Sequence, residues 1–228
     1  MTEVLINQGR IRILADGEVA EWLTQDWFAP EWWKHEGLVL KSLGGRGQAV
    51  LLDSSVGHLV LRRFLRGGWV SRLSEDAYLN LGIHRSRAFR EFRLLKTLRR
   101  LQLPVPEPVA ASFEPNGLTY KAGLLTRFIP DASELAELAP QLSIAQWSDL
   151  ASTLEDFFSA GLSHPDLNAR NLLLDRSGQW HLLDLDRAVL RGREVDGRAM
   201  CRRLARSLEK LCLSGWRQGF DASLGRFC

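Results

Sequence analysis

The chain has 228 residues, 45% hydrophobic and 25% charged, enough apolar material for one large domain or two small lobes. No run of about 18 apolar residues is present, and MTEVLINQGRIRIL lacks a basic start leading into an apolar stretch; neither a spanning helix nor a secretory leader is expected, and a cytoplasmic protein is. The net charge is +3, and the three cysteines, Cys201, Cys212 and Cys228, form no CxxC pair and have no histidines at metal-ligand spacing, which argues against a zinc site.

The N-terminal third reads as strands and turns. A glycine cluster, Gly44, Gly45 and Gly47, precedes two β-rich runs, Ala49–Asp53 and His58–Phe64, joined by the hairpin signal SSVG. Residues 85–101 read as an amphipathic helix with Ala88, Phe92 and Leu95 on one face, ended by Pro104 and Pro106. Strand-like pieces follow at Val109–Phe113 and Thr119–Phe128. The turn IPDAS marks a boundary between an N-lobe of about 1–129 and a C-lobe of about 130–228 within a single domain. Ala145–Gly161 is helical, with Trp147, Leu150, Leu154 and Phe157 or Phe158 on one side. Leu172–Asp175 and Trp180–Asp184 are short strands around an RSGQ turn. Glu194–Leu213 is helical, with Val195, Leu204, Leu208 and Leu211 as its apolar stripe. The order predicts an α+β fold in two lobes.

Charge is unevenly spread. Residues 62–100 hold eleven Arg and Lys against three acids, a local excess of +8 that suits a phosphate-bearing or otherwise anionic partner, or simply solvates a helix face. Trp22, Trp27, Trp32, Trp33 and Trp69 are many indoles for a short N-terminal region; core positions or a membrane interface both suit them. No motif for nucleic-acid binding accompanies the basic stretch.

The chemistry concentrates in HPDLNARNLLLDRSGQWHLLDLDRA, residues 164–188. Asp166 and Asn171 lie five apart on a loop, and Asp184 returns after an apolar hairpin. One amide and one carboxylate suit magnesium, a hard cation that keeps open positions for phosphate oxygens and water. A further carboxylate off the metal can orient a hydroxyl and accept its proton.

HPDLNARN resembles the protein-kinase catalytic loop HRDLxxxN, and LLDLD resembles the strand leading into DFG. That resemblance implies Asp166 as base, Asn171 and Asp184 as magnesium ligands and His164 as a brace for the loop. It also implies that Gly44, Gly45 and Gly47 cover the phosphates of ATP through backbone N–H groups. Arg62 falls at the position of the kinase lysine, and Glu91 at that of its paired glutamate. LLTRFIP resembles the hinge, whose backbone holds adenine around Arg127, Phe128 and Ile129. Three departures stand out. Arg62 replaces lysine, Asp186 replaces the DFG glycine, and about forty residues after Asp186 leave no room for an APE segment and peptide-docking helices.

Across about Trp27–Arg206, the stretches GGRGQAV, LVLRRFLRGG, RSRAFREFRLL, LPVPEPVAA, LLTRFIP, HPDLNARNLLLD and LLDLDRA resemble the bacterial lipopolysaccharide kinases, most closely those acting on 3-deoxy-D-manno-octulosonic acid (Kdo). The resemblance implies a protein-kinase-like fold with a β-rich N-lobe and a reduced helical C-lobe. It implies ATP- and Mg²⁺-dependent phosphorylation of the 4-hydroxyl of Kdo on a lipid A precursor, an anionic glycolipid, at the cytoplasmic face of the inner membrane. The protein would sit there peripherally, with no nucleic acid and no obligate protein partner. A kinase for a heptose or another small molecule, and a catalytically dead nucleotide-binding scaffold, remain the alternatives.

Overall fold

A computed structural model describes residues 2–43, 49–64, 78–79, 83–117, 119–211 and 213–227. Gly44, Gly45, Gly47, Trp69, Cys212 and Cys228 lie outside the described residues. The chain divides into two compact units, Met1–Lys96 with Glu107–Phe128, and Thr97–Pro106 with Ile129–Cys228.

The first unit is a twisted antiparallel sheet with helices. Its elements are β1 (Glu3–Gln8), β2 (Ile11–Asp16), α1 (Pro30–His35), β3 (Val39–Leu43), β4 (Ala49–Ser54), β5 (Gly57–Arg63), β6 (Tyr78–Leu79), most of α2 (Arg87–Arg100, whose last turn from Thr97 is counted with the second unit), β7 (Pro108–Asn116) and β8 (Thr119–Arg127). The strands lie in the order β1-β2-β7-β8-β5-β4-β3, with β6 beside β8. The β4–β5 hairpin turns at Ser54–Gly57, where Gly57 takes φ +102°, a conformation open to glycine because it has no Cβ.

Side chains alternate across a strand, so β5 splits cleanly. Leu59 and Leu61 enter a core with Val50, Leu52, Trp27 and Trp33. Arg62 points to the opposite face and meets Glu91 of α2. The helix buries Ala88, Phe89, Phe92, Leu95 and Leu98; burying a side chain such as Phe92 contributes about 1.5–3 kcal/mol. Polar ties fix its rotation. Its first N–H groups are met by Tyr120 Oη, 3.2 Å from Arg87 N, and Ser86 Oγ, 3.3 Å from Phe89 N. Lys96 Nζ, buried near its far end, reaches Asp16 at 2.9 Å. Two tryptophans are core residues: Trp33 is buried and donates from Nε1 to Trp27 O at 2.9 Å, and the two rings pack edge to face. Trp22 is exposed.

The second unit contains β9 (Ser133–Glu134), α3 (Leu135–Leu138), α4 (Ile144–Ser159), β10 (Leu162–Ser163), β11 (Leu172–Leu174), β12 (Trp180–Leu182), β13 (Val189–Leu190), α5 (Arg198–Lys210) and α6 (Trp216–Leu224). A capping box of Ser143 and Gln146 starts α4. Its apolar face, Trp147, Leu150, Leu154, Phe157 and Phe158, is buried as the periodicity predicts. Strands β12, β11 and β9 form one small sheet and β10 pairs with β13.

The last predicted helix is shorter than the sequence suggests. It begins at Arg198 rather than Glu194. The 194–196 stretch is drawn into another bond instead, Val195 N donating to Phe158 O at 3.0 Å. Gly197 then passes so close to Phe158 that a Cβ there would stand 2.3 Å from the ring. Helix α6 has no counterpart among the elements expected from the sequence. Gly219 lowers its intrinsic propensity, yet the bare glycine lets Trp147 approach where a Cβ would be 2.1 Å from the indole. Tertiary packing outweighs local preference here.

Candidate active site

The loop between β10 and β11 is organised by its own polar side chains. His164 is buried, and its Nδ1 accepts the backbone N–H of Asp166 at 3.2 Å. Its Nε2 faces Leu183 O at 3.3 Å, which fixes the proton on Nε2. Burial pushes this imidazole below its usual pKa, while the Leu183 carbonyl and the Asp184 and Asp166 carboxylates act the other way. The backbone N–H of His164 meets Met200 Sδ of α5 at 3.1 Å.

Asn168 caps the short 3₁₀ turn Ala169–Asn171: its Oδ1 accepts Arg170 N at 2.9 Å. Its Nδ2 donates to Asp166 O at 2.9 Å, and Asn171 Nδ2 donates to the same carbonyl at 3.3 Å. Ala169 N donates to Ser207 Oγ of α5 at 2.9 Å. The Asp166 carboxylate is exposed, and Arg187 Nη1 stands 3.6 Å from its Oδ2. Sequence reasoning does not single out Arg187, Met200 or Ser207. Arg187 is visible in LLDLDRA; Met200 and Ser207 lie some forty residues downstream on a helix, and only folding brings them to the loop.

Asp184 is tied to the same loop through the backbone. Leu183 N donates to Asn171 O at 2.8 Å, so the next residue, Asp184, follows directly from the Asn171 position. Asp184 is exposed and takes φ +55°, a left-handed conformation that an L residue adopts at some cost. Such strain is retained where the surroundings over-determine it. The hairpin that returns the chain from Asn171 to Asp184 is closed by Asp175. Its Oδ1 accepts Ser177 N, Ser177 Oγ and Gln179 N, and its Oδ2 stands 2.7 Å from His181 Nε2. Burial works against its charged form, but the bonds from Ser177, His181 and Gln179 prevail and hold the carboxyl at about 2.

Among the described residues no group of three or more His, Cys, Asp or Glu is placed to hold a metal. The donor chemistry of Asn171 and Asp184 nevertheless fits magnesium. With Asn171 Nδ2 engaged by Asp166 O, the amide oxygen is the atom left to present to a cation. One amide oxygen and one carboxylate are the sparse protein share that magnesium takes when phosphates and water supply the rest.

In the first unit, Arg62 Nη2 contacts Glu91 Oε2, with Glu91 almost fully buried. Arg62 also lies over the Phe64 ring, 4.8 Å from its centre. In the Arg127–Ile129 segment, Arg127 N donates to Glu107 O at 2.8 Å and Phe128 N to His58 O at 3.1 Å. Those two N–H groups are committed to the sheet. A cavity of about 340 Å³ in this unit, bordered by Arg10, Phe28, Arg63, Ser112 and Lys121, contains none of the candidate site residues.

Comparison with known proteins gives the family of the chain. A family model described as the lipopolysaccharide kinase (Kdo/WaaP) family matches residues 30–219. The chain is 40% identical over 216 residues to a 3-deoxy-D-manno-octulosonic acid kinase of Xanthomonas axonopodis pv. citri (strain 306), covering 94% of this chain and 86% of the relative. It is 40% identical over 201 residues to the protein of that name in Stenotrophomonas maltophilia (strain R551-3), covering 87% and 80%. It is 42% identical over 196 residues to that in Xanthomonas oryzae pv. oryzae (strain PXO99A), covering 85% and 78%.

Proposed function

The chain belongs to the lipopolysaccharide kinase (Kdo/WaaP) family, and from that membership we propose that it transfers the γ-phosphoryl group of ATP to the 4-hydroxyl of Kdo on a lipid A precursor. One observation carries the residue assignment: His164, Asn168 and Asn171 hold the loop around Asp166 by a closed set of hydrogen bonds. The carboxylate is left exposed at the centre of that rigid loop.

In this reading Asp166 orients the acceptor hydroxyl and takes its proton as the new O–P bond forms and the bond to ADP breaks. Asn171 and Asp184 would hold Mg²⁺, which supplies charge neutralisation on the phosphates. Arg62, held by Glu91, places a bidentate cation for the phosphates where kinases use lysine. Gly44, Gly45 and Gly47 cover those phosphates. Adenine is read by Arg127, Phe128 and Ile129 through backbone groups other than the two committed N–H donors. Arg187 steers the Asp166 carboxylate. The two units serve as the N-lobe, about 1–129, and C-lobe, about 130–228, of one kinase-like domain.

The acceptor's acyl chains stay in a bilayer while its sugar is phosphorylated, so the enzyme works as a peripheral protein on the cytoplasmic face of the inner membrane. No helix among the described residues is long and apolar enough to cross a membrane, and surface arginines of the 62–100 stretch supply attraction to an anionic leaflet.

Mass spectrometry of a Kdo-lipid A acceptor after incubation with ATP, Mg²⁺ and enzyme tests the function. Wild type is expected to add one phosphoryl group to Kdo, and Asp166→Asn to lower the rate by about 10²–10⁴-fold. Phosphorylation of a heptose acceptor in place of Kdo, or no transfer at all, overturns the substrate assignment. Near-normal transfer by Asp166→Asn removes that residue from the role of base.

A further inference from the structure

The second unit contains a cavity of about 390 Å³ whose wall includes Pro165, the residue before Asp166. Arg191, Arg193 and Arg203 line it, together with Glu194 and Asp196. Among the described residues, none of the three arginine side chains has a hydrogen-bond or ion-pair partner, and nothing in the residue assignment above uses them. Asp196 is already engaged: its Oδ1 accepts Arg198 N at 3.0 Å, with Arg198 Nε 4.0 Å away.

The backbone that presents these arginines is pinned. Arg191 N donates to Gly161 O at 2.9 Å, and Val195 N to Phe158 O at 3.0 Å, one bond on each side of Arg193. Gly161 takes φ +89°, and a Cβ on it would stand 2.5 Å from Arg193 O. The β10–β13 pairing, Leu162 with Leu190 and Ser163 with Val189, fixes the strand just before Arg191. Arg203 comes from α5, the helix whose Met200 holds the His164 N–H. One set of contacts therefore positions both the catalytic loop and this cationic wall.

Three arginines against two acids, one of them already engaged by Arg198, leave the wall net positive, and a bound anion is favoured there. Their planar forks match a carboxylate or a phosphate. The acids on the same wall distinguish the two. Glu194 and Asp196 disfavour a dianionic phosphate more than a monoanion, and a carboxylate side chain accepts hydrogen bonds from hydroxyls. A polyhydroxylated sugar carrying one carboxylate satisfies both halves of the wall.

We propose that this cavity is the acceptor subsite, in which Arg193, Arg203 and Arg191 bind the carboxylate of the acidic sugar and Glu194 takes its hydroxyls. The proposal rests on the function stated above, and it adds the residues that would make the enzyme choose an acidic sugar over a neutral one.

The test uses a water-soluble Kdo glycoside, its methyl ester, and inorganic phosphate as probes of the full-length protein by titration calorimetry, with steady-state kinetics on the glycoside. Wild type is expected to bind the acid about tenfold or more tightly than the ester, the scale of a lost charge-assisted bond. Arg193→Gln and Arg203→Gln are expected to erase that preference and raise the acceptor KM about tenfold or more. The KM for ATP should stay within about twofold, since the phosphates are assigned elsewhere. Arg176→Gln, at the exposed Asp175–Gln179 turn, serves as the control. Arg191→Gln gives a second reading should either variant lower the melting temperature. Equal binding of acid and ester, unchanged acceptor KM in the variants, or displacement of the glycoside by inorganic phosphate at similar concentration each overturns the carboxylate subsite. Binding of the acid through these arginines without phosphorylation leaves the subsite standing and overturns the reaction. Phosphorylation of Kdo with unchanged arginine variants does the reverse.

Discussion

The Asp166 backbone N–H donates to Nδ1 of His164 across 3.2 Å, so the loop keeps this bond only while Nδ1 carries no proton. Burial lowers the His164 pKa below its ordinary 6.5. In the unfolded chain the ring takes a proton as pH falls through about 6.5, while in the folded protein it resists, so unfolding gains protons. Stability from this residue is therefore intact above about 6.5 and drains away as pH drops toward the folded value. Urea unfolding of wild type and His164→Gln at about pH 7.5 and about pH 5.5 checks it. The wild type should lose more stability between the two than the variant does. Equal losses would show that His164 does not set the slope.

Asp184 combines an exposed carboxylate with a left-handed backbone. Glycine at that position removes the strain and the carboxylate together; valine removes the carboxylate and worsens the strain. Asp184→Gly is expected to melt at or above the wild-type temperature while losing Mg²⁺-dependent ATP binding and turnover. Asp184→Val should lose both activity and stability. Calorimetry with ATP, with and without Mg²⁺, reads the first effect and thermal unfolding the second. A Gly variant that binds Mg-ATP as wild type does would take the metal role away from Asp184.

Local patterns in the chain foretell some of these features and are silent on others. Alternation in HLVLRR by itself separates Leu59 and Leu61 from Arg62, because strand geometry puts successive side chains on opposite faces. Ala88, Phe92 and Leu95 give α2 in the same way. The HPDLNARN loop is equally plain, since its hydrogen bonds close within eight residues. Contacts across long separations carry no local signal. Ser207 and Met200 reach the loop from 38 and 36 residues away. The start of α5 is decided by the approach of Phe158 to Gly197, and α6 by the seat of Trp147 on Gly219, both properties of packing. Part of the basic stretch is paired only once the chain folds. Arg62, Arg93 and Lys96 are matched by Glu91, Glu3 and Asp16, of which two lie far upstream.

The Arg62–Glu91 pair separates stability from catalysis. Glu91 is almost entirely buried, so deleting Arg62 breaks an ion pair at a dry carboxylate. Arg62 is itself partly exposed, which moderates the loss to about 3 kcal/mol, the low end for breaking a buried pair. Arg62→Ala should therefore destabilise, Arg62→Lys should retain partial activity, and Arg62→Ala with Glu91→Gln should regain stability without regaining turnover. Denaturant midpoints and phosphoryl-transfer rates on wild type and these variants decide it. If Arg62→Ala turns over like wild type, the phosphate-binding role falls, and Arg63 becomes the next residue to examine.

The proposed peripheral attachment rests on surface charge. Arg85, Arg90 and Arg99 are exposed on or beside α2, whereas Arg62, Arg93 and Lys96 are bound to carboxylates. Attraction between such exposed groups and an anionic leaflet is screened beyond about 8 Å at physiological salt, so it should weaken steeply with ionic strength. The protein is expected to sediment with anionic vesicles at low salt and leave them at high salt without detergent. Neutralising Arg85, Arg90 and Arg99 together should reduce the bound fraction, whereas the same vesicles made with neutral lipid should bind little in either case. Activity on a short water-soluble Kdo acceptor should survive that triple change, because these residues lie outside the phosphoryl-transfer assignment. Should wild type fail to associate at low salt yet remain fully active on the soluble acceptor, the electrostatic anchor is wrong, and the acceptor's own acyl chains must bring enzyme and substrate together.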